Sequence, residues 1–153
     1  PGPFTGLRVG IVTARVLALA TGAALHGMCS LDALAAEGPV GEVLVATDAR
    51  RKEVYWARYA VSPGSVRALT APAVNRPADL PEAVRALPTV GRGPVLYPEV
   101  FSAPVHVLDV SAAMLATLAV ARLAAGEPLA DREPCYLRRP DAAPHIVAKS
   151  ALG

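Results

Sequence analysis

The chain has 153 residues, 53% of them apolar and 18% charged, with a mean hydropathy of +0.38. A chain of this length and composition hides about two-thirds of its unfolded surface, which excludes intrinsic disorder, a state of low hydrophobicity and high net charge. The net charge of +2 is too small to argue for a nucleic-acid or membrane-surface binder, and Cys29 and Cys135, far apart and outside any CxxC, exclude a zinc ribbon or a disulfide-built scaffold.

The chain opens without Met inside a loop-like stretch, and is expected to be a fragment. Val16 to Leu31 carries no charge, but Thr21, Gly22 and His26 interrupt it and it falls short of a membrane span. Arg15 lies inside the apolar core that a secretory signal would need, so that reading is rejected. Pro1 to Gly6 reads as a loop with Thr5 as N-cap, and a helix then runs to Thr21, stopped by Gly22. Gly6, Gly10, Ala14 and Ala18 recur every four residues on one face, flanked by Leu7 and Ile11, while Arg8 and Arg15 share another. Small residues at this spacing admit a second helix at close range, either from the same domain or from a partner. Ala23 to Gly27 is a strand candidate, and Ser30 is read as the cap of a brief helix from Leu31 to Ala36. Through residue 41 the charges are Arg8, Arg15, Asp32 and Glu37, so this segment needs a covering surface.

Gly38-Pro39-Val40-Gly41 marks a lobe boundary, dividing the chain into 1–40 and 41–153. Beyond it the apolar period becomes two. Glu42–Asp48 and Val54–Val61 form a hairpin, with Tyr55, Ala57 and Tyr59 on one face and Trp56 and Arg58 on the other. A turn at Ser62-Pro63-Gly64 leads to a short strand over Val66–Leu69. Residues 71–81 read as a Pro-rich extended loop and Pro81–Leu87 as a short helix. Val95–Tyr97 and Val105–Leu108 are predicted as strands, and a helix capped by Asp109 or Ser111 ends at Gly126. The remainder is Pro-rich and irregular. Strands with separate helices imply a mixed α/β fold.

No catalytic constellation emerges from the residues. His26, His106 and His145 stand alone without a second His one helical turn away, so no metal site is expected. Ser30 is outside G-x-S-x-G, the cysteines read as buried apolar groups, and no phosphate-binding loop is present. The basic run Arg50-Arg51-Lys52 at the hairpin tip is either a solvated turn or a docking surface for an acidic partner or a phosphate backbone. Arg138-Arg139 is a second, smaller candidate.

Several strings resemble one family together. Pro1-Gly2-Pro3-Phe4-Thr5-Gly6-Leu7-Arg8-Val9-Gly10 resembles the G-P-G-S-F-T-G-L-R-[IV]-G signature of the TsaB (YeaZ) family. Cys29-Ser30-Leu31-Asp32-Ala33-Leu34-Ala35 is similar to its S-S-L-[DE]-A-L-A segment, Asp48 to Tyr55 to its D-A-R-R-x-E-V-Y hairpin, and Pro134 to Arg138 to its P-x-Y-L-R run. Pro3 departs from the family's Ser, and Lys52 stands where Gly is frequent. The family's N-terminal strands are not matched.

The resemblance implies an actin/Hsp70-like (ASKHA) α/β fold of RNase H-like lobes, the first lobe incomplete over 1–40. It implies a non-catalytic scaffold for threonylcarbamoyladenosine modification of tRNA in the cytoplasm. Expected partners are a TsaD-like catalytic subunit, a TsaE-like ATPase and a possible second copy, with tRNA reached through the complex and no membrane or cofactor involved. The expected partner interface is Thr5, Gly6, Leu7, Arg8, Gly10, Ile11, Ala14, Arg15 and Ala18, and Arg50, Arg51 and Lys52 form the docking hairpin. The rivals are a metallo-glycoprotease or ATP-using ASKHA enzyme, and a stand-alone RNA binder working through the two arginine clusters.

Overall fold

Apolar residues over 41–62 build an antiparallel hairpin, β1 (Gly41–Asp48) and β2 (Val54–Ser62), paired from Gly41↔Val61 to Asp48↔Val54. The structure, a computed structural model, describes residues 1–129 and 133–138. Along the outer edge of β2 lie two antiparallel strands, β3 (Ser65–Ala68) and β4 (Ala73–Asn75). On the other side β5 (Thr89–Val90) pairs in parallel with β1 through Leu44↔Thr89 and Val45↔Val90. The sheet order is β3-β2-β1-β5, with β4 beside β2.

Successive strand side chains point to opposite faces, and both faces here are covered. Val43, Val45, Ala57 and Tyr59 pack against Leu31 and Leu34 of helix α2 (Ser30–Ala36). Leu44, Ala46 and Val54 pack on the opposite face against Leu80, Val84 of helix α3 (Glu82–Arg85) and Phe101. The division of β2 read from the sequence holds, since Ala57 and Tyr59 join the first cluster and Trp56 borders the second. Although α2 precedes the Gly38–Gly41 segment, it packs on the sheet that follows. Burying one Leu of this kind is worth roughly 1.5–3 kcal/mol, so Leu31 and Leu34, both fully buried, anchor α2 firmly.

Helix α1 (Phe4–Thr21) and helix α5 (Ala112–Ala124) end as predicted, at Gly22 and Gly126 with φ of 69° and 71°. Of the two candidate caps for α5 the structure selects Ser111, whose Oγ accepts the Met114 N–H at 3.1 Å. Thr5 and Ser30 do not cap. Pro3 occupies the N-cap of α1 and Cys29 that of α2, while the Ser30 hydroxyl donates to the Pro1 carbonyl at 3.0 Å.

Four predicted elements are corrected. Ala23–Gly27 forms no strand beyond an isolated bridge at Gly27, and no described strand pairs with it. Residues 71–81 hold β4 and a short 3₁₀ turn (Pro77–Asp79). The prolines flank β4 rather than sit in it, so its ladder survives. Val95–Tyr97 is not a strand. Pro94 occupies the first turn of a short helix, α4 (Gly93–Leu96), where its missing N–H costs nothing. Val105–Leu108 runs beside β5 with single hydrogen bonds, such as Val105 N–H to the Thr89 carbonyl at 2.9 Å. The Thr89 N–H also donates to the Ala103 carbonyl at 2.8 Å, but the Val107 N–H turns back onto the Val105 carbonyl at 2.9 Å, so a single bridge between Thr89 and Pro104 replaces a regular ladder.

Between β5 and α4 the backbone crosses β1 closely. A Cβ at Gly93 would lie 2.7 Å from the Ala46 Cβ, and Gly91 takes φ +100° against the same residue. The sequence Gly91-Arg92-Gly93 is the readable signal of this crossing, and a strand-centred reading passed over it.

Candidate functional site

The hairpin pairs as far as Asp48↔Val54, leaving five residues to turn the chain. Arg50, Arg51 and Lys52 take φ of 61°, 54° and 61°, three successive left-handed residues without a glycine. Each costs roughly 1–2 kcal/mol relative to a right-handed conformation. Several contacts oppose that cost. Within the turn, the Ala49 N–H donates to the Glu53 carbonyl and the Glu53 N–H to the Arg50 carbonyl, both at 3.0 Å. The Asp48 carboxylate accepts the Arg50 N–H at 2.7 Å and meets the Arg50 guanidinium at 3.1 Å. From the far end of the chain, Arg138 donates to the carbonyls of Ala49 at 2.7 Å and Arg50 at 3.3 Å, and pairs with Glu53. The side chains of Arg50, Arg51 and Lys52 are exposed, as expected for a tip. A glycine in place of Lys52 would take this left-handed φ without a Cβ penalty.

The tip borders a cavity of about 820 Å³. Segments distant in sequence line it: Pro1–Phe4 with Arg8, then Ser30, Leu31 and Leu34, then Thr47–Arg51 with Tyr55, and finally Cys135–Arg138. Arg92 and the 108–110 segment complete the wall. The four strings that carry the family resemblance therefore meet in space. Phe4 and Tyr136 pack as tilted rings, 36° apart in plane with centroids 5.5 Å apart, and the Arg8 guanidinium lies 4.7 Å over the Phe4 ring. Such cation–π contact holds an arginine in place while leaving its charge uncompensated.

Five arginines line the cavity (Arg8, Arg50, Arg51, Arg92 and Arg138) against two carboxylates, Asp48 and Asp109. Arg92 grips Asp109 with two hydrogen bonds of 2.6 Å. Those bonds hold the Asp109 carboxyl below its ordinary range and raise Arg92. Burial raises the Tyr55 hydroxyl, with Asp48 adding to the effect. Burial likewise pushes the Cys29 thiol up, which disfavours the thiolate that a nucleophile needs. What the walls supply is a cationic, partly apolar contact surface.

The partner face read on α1 is displayed along its whole length, for no α1 residue is fully buried. Leu7, Ile11 and Ala18 are half-buried, whereas Thr5, Gly6, Arg8, Gly10, Ala14 and Arg15 are exposed. A Cβ added at Gly6 or Gly10 would meet nothing within 4 Å. Val9, Val12, Val16, Leu17 and Leu19 add exposed apolar surface, each more than half accessible. Arg15 pairs with Glu133 at 2.7 Å, linking α1 to the C-terminal segment. Among the described residues, α1 is also the one helix long and apolar enough to cross a membrane, with mean hydropathy 1.4 over 18 residues. The structure brings the first turn of α1 and the hairpin tip to one cavity.

Some sequence expectations change here. Cys29 is half-buried, but Cys135 is exposed, because the C-terminal segment lies over the cavity rather than inside a core. His26 and His106 are exposed, and His145 lies outside the described residues. Arg138 is turned inward onto the hairpin rather than presented as a docking charge, and Arg139 lies outside the described residues. Among the described residues, no cluster of three or more His, Cys, Asp or Glu side chains is placed to hold a metal ion. The Arg138 clamp and the Arg92–Asp109 pair, 17 residues apart, have no local spacing signal and were not read from the sequence.

Among the described residues a mixed sheet is covered by helices on both faces, an α/β fold that matches the YeaZ structures of the actin-like (ASKHA) family. YeaZ from Pseudomonas aeruginosa superposes with a TM-score of 0.75 at 31% identity, over 90% of this chain and 70% of that one. The family profile of TsaD, tRNA N6-adenosine threonylcarbamoyltransferase, matches residues 1–148; the chain belongs to this family, as a protein of the TsaB/YeaZ type. TsaB of Escherichia coli, a tRNA threonylcarbamoyladenosine biosynthesis protein, is 43% identical over 63 residues, 39% of this chain and 27% of that protein. Uncharacterised proteins of Mycobacterium tuberculosis and Mycobacterium bovis are 43% identical over 158 residues, 96% of this chain. The chain spans 64% of the length of those mycobacterial relatives.

Proposed function

We propose that the chain serves threonylcarbamoyladenosine modification of tRNA as a non-catalytic subunit that docks on a TsaD-like catalytic subunit. The convergence of the four family strings on one arginine-lined cavity, beside an exposed hairpin tip and an uncovered α1, supports this reading most directly. The small-residue ladder Gly6, Gly10, Ala14, Ala18 lets a partner helix approach closely, with Leu7 and Ile11 flanking the contact and Thr5, Arg8 and Arg15 at its polar edge. Arg50, Arg51 and Lys52 meet acidic groups of the same partner. A TsaE-like ATPase joins the pair, tRNA is engaged through the complex, and the assembly is soluble and cytoplasmic. A second copy of the chain uses the same helix face when the catalytic subunit is absent. Residues 1–40 are assigned to the first lobe and 41–153 to the second, with α2 of the first packed on the sheet of the second.

Reconstitution with the TsaD-like and TsaE-like proteins of the same genome tests this. Formation of threonylcarbamoyladenosine on tRNA is expected with all three proteins and is lost when this chain is withheld. The chain alone is expected neither to cleave protein substrates nor to turn over ATP. Metal-dependent cleavage that disappears in His26→Ala or His106→Ala, or modification that proceeds equally well without this chain, overturns the proposal.

A further inference from the structure

We infer that Arg138 is a positioning residue for the docking hairpin: it holds residues 50–52 in the left-handed turn from which Arg50 and Arg51 meet an acidic partner surface. The inference rests on the docking reading above and adds to it the device that shapes the hairpin.

Three observations carry it. Residues 50–52 are left-handed without a glycine among them, a conformation that their own preferences oppose. The contacts that Asp48, Ala49, Arg50 and Glu53 make within the turn are local, whereas the guanidinium of Arg138 reaches it from 88 residues beyond Arg50. That guanidinium spends its donors on the Ala49 and Arg50 carbonyls and on the Glu53 carboxylate. Exposure separates the roles: the Arg50 side chain is 83% accessible, whereas Arg138 and Glu53 are 25% and 30% accessible. Arg50 is presented outward and Arg138 is used inward. A planar fork of five N–H donors spans two carbonyls and a carboxylate, which a point-like ammonium does not do.

If the partner binds the left-handed turn, its apparent affinity scales with the population of that turn. Removing the clamp lowers the population, and a glycine at position 52, free of the left-handed penalty, restores it. The experiment uses the intact chain and the TsaD-like subunit of the same genome. It measures amide hydrogen exchange at Ala49 and Glu53 together with affinity by calorimetry. Arg138→Ala is expected to exchange about tenfold faster at both amides and to bind about tenfold more weakly. Val43 and Val45 amides in β1 stay protected, which reports an intact fold. Arg138→Lys follows Arg138→Ala, and the double variant Arg138→Ala with Lys52→Gly recovers most of the affinity.

Wild-type exchange and affinity in Arg138→Ala or Arg138→Lys overturn the inference. Weakened binding with unchanged exchange also overturns it, because Arg138 is then a direct contact. The charge reversals Arg50→Glu and Arg51→Glu together test the docking reading itself. If they bind as tightly as wild type, that reading fails and the positioning role fails with it. If they abolish binding while Arg138→Ala is silent, the docking reading stands and the inference alone is lost.

Discussion

Tyr59 donates its hydroxyl to the Oδ1 of Asp32 at 2.9 Å, joining the middle of β2 to the first turn of α2. The Oδ2 of the same carboxylate receives Arg122 of α5 at 2.8 Å, and Arg122 also donates to the Val66 carbonyl of β3 at 3.0 Å. One buried carboxylate therefore ties two helices to the sheet. Burial raises the Tyr59 hydroxyl well above its ordinary range, with the Asp32 charge adding to it, so the phenol stays protonated as a donor.

Losing one hydrogen bond to a charged group costs about 1.5–3 kcal/mol, so Tyr59→Phe is expected to destabilise the fold by about 2 kcal/mol. Asp32→Ala removes the partner of a largely buried guanidinium and costs more, about 3 kcal/mol, the low end of the range for a broken buried pair because Arg122 keeps the Val66 carbonyl. Chemical denaturation of both variants gives the order directly. An Asp32→Ala variant as stable as wild type contradicts the tie.

Lys52→Gly is expected to stabilise the isolated chain. Relief of a left-handed Lys is worth roughly 1–2 kcal/mol, and the extra backbone freedom of Gly returns about 0.5–1 kcal/mol of that. The net gain, about 0.5–1 kcal/mol, raises the melting temperature by about 2 °C in a chain of this size. Lys52→Ala keeps the φ penalty and gains nothing. A Lys52→Gly form that melts below Lys52→Ala shows that the turn is not left-handed in solution.

Gly10→Leu separates a partner face from an internal one. The added side chain begins in open space within this chain, since a Cβ there meets nothing within 4 Å. Helix propensity alone then favours the variant by up to about 1 kcal/mol. Against a partner helix the same side chain overpacks, costing about 1–3 kcal/mol, roughly a ten- to hundred-fold loss of association. Thermal melting and light scattering, alone and with the TsaD-like subunit, are expected to show an unchanged or raised melting temperature with weakened association. Lower stability with unchanged association places the face inside the protein.

The Arg92–Asp109 pair sets a pH dependence at the cavity wall. Its hydrogen bonds hold Asp109 below the ordinary aspartate value of about 3.9. The pair's contribution is therefore fully present above that value and is lost as pH falls through the lower, folded one. Carboxyl NMR is expected to give an Asp109 midpoint below 3.9 that moves upward in Arg92→Ala. The pair is exposed, so high salt shrinks the effect. A midpoint indifferent to Arg92 removes the pair from the wall.

By itself the sequence determined what depends on neighbours along the chain. The period-two pattern of Glu42–Asp48 and Val54–Val61 specified the hairpin, because a pleated strand with apolar residues at alternate positions has one way to face a core. Gly22, Gly126 and Ser111 punctuated the long helices through local backbone and side-chain chemistry. The motif strings, taken together and in order, identified the family. Only the tertiary structure decided that those strings surround one cavity, that Arg138 reaches the hairpin tip, and that Asp32, Tyr59 and Arg122 share a bond network. It also decided against strands at 95–97 and 105–108, where Pro94 starts a helix and the Val107 N–H turns back onto the Val105 carbonyl. A hydrogen bond between residues 88 positions apart leaves no period or spacing in the sequence. Its energy depends on where two folded surfaces meet, and that is set by packing of the whole sheet and its helices.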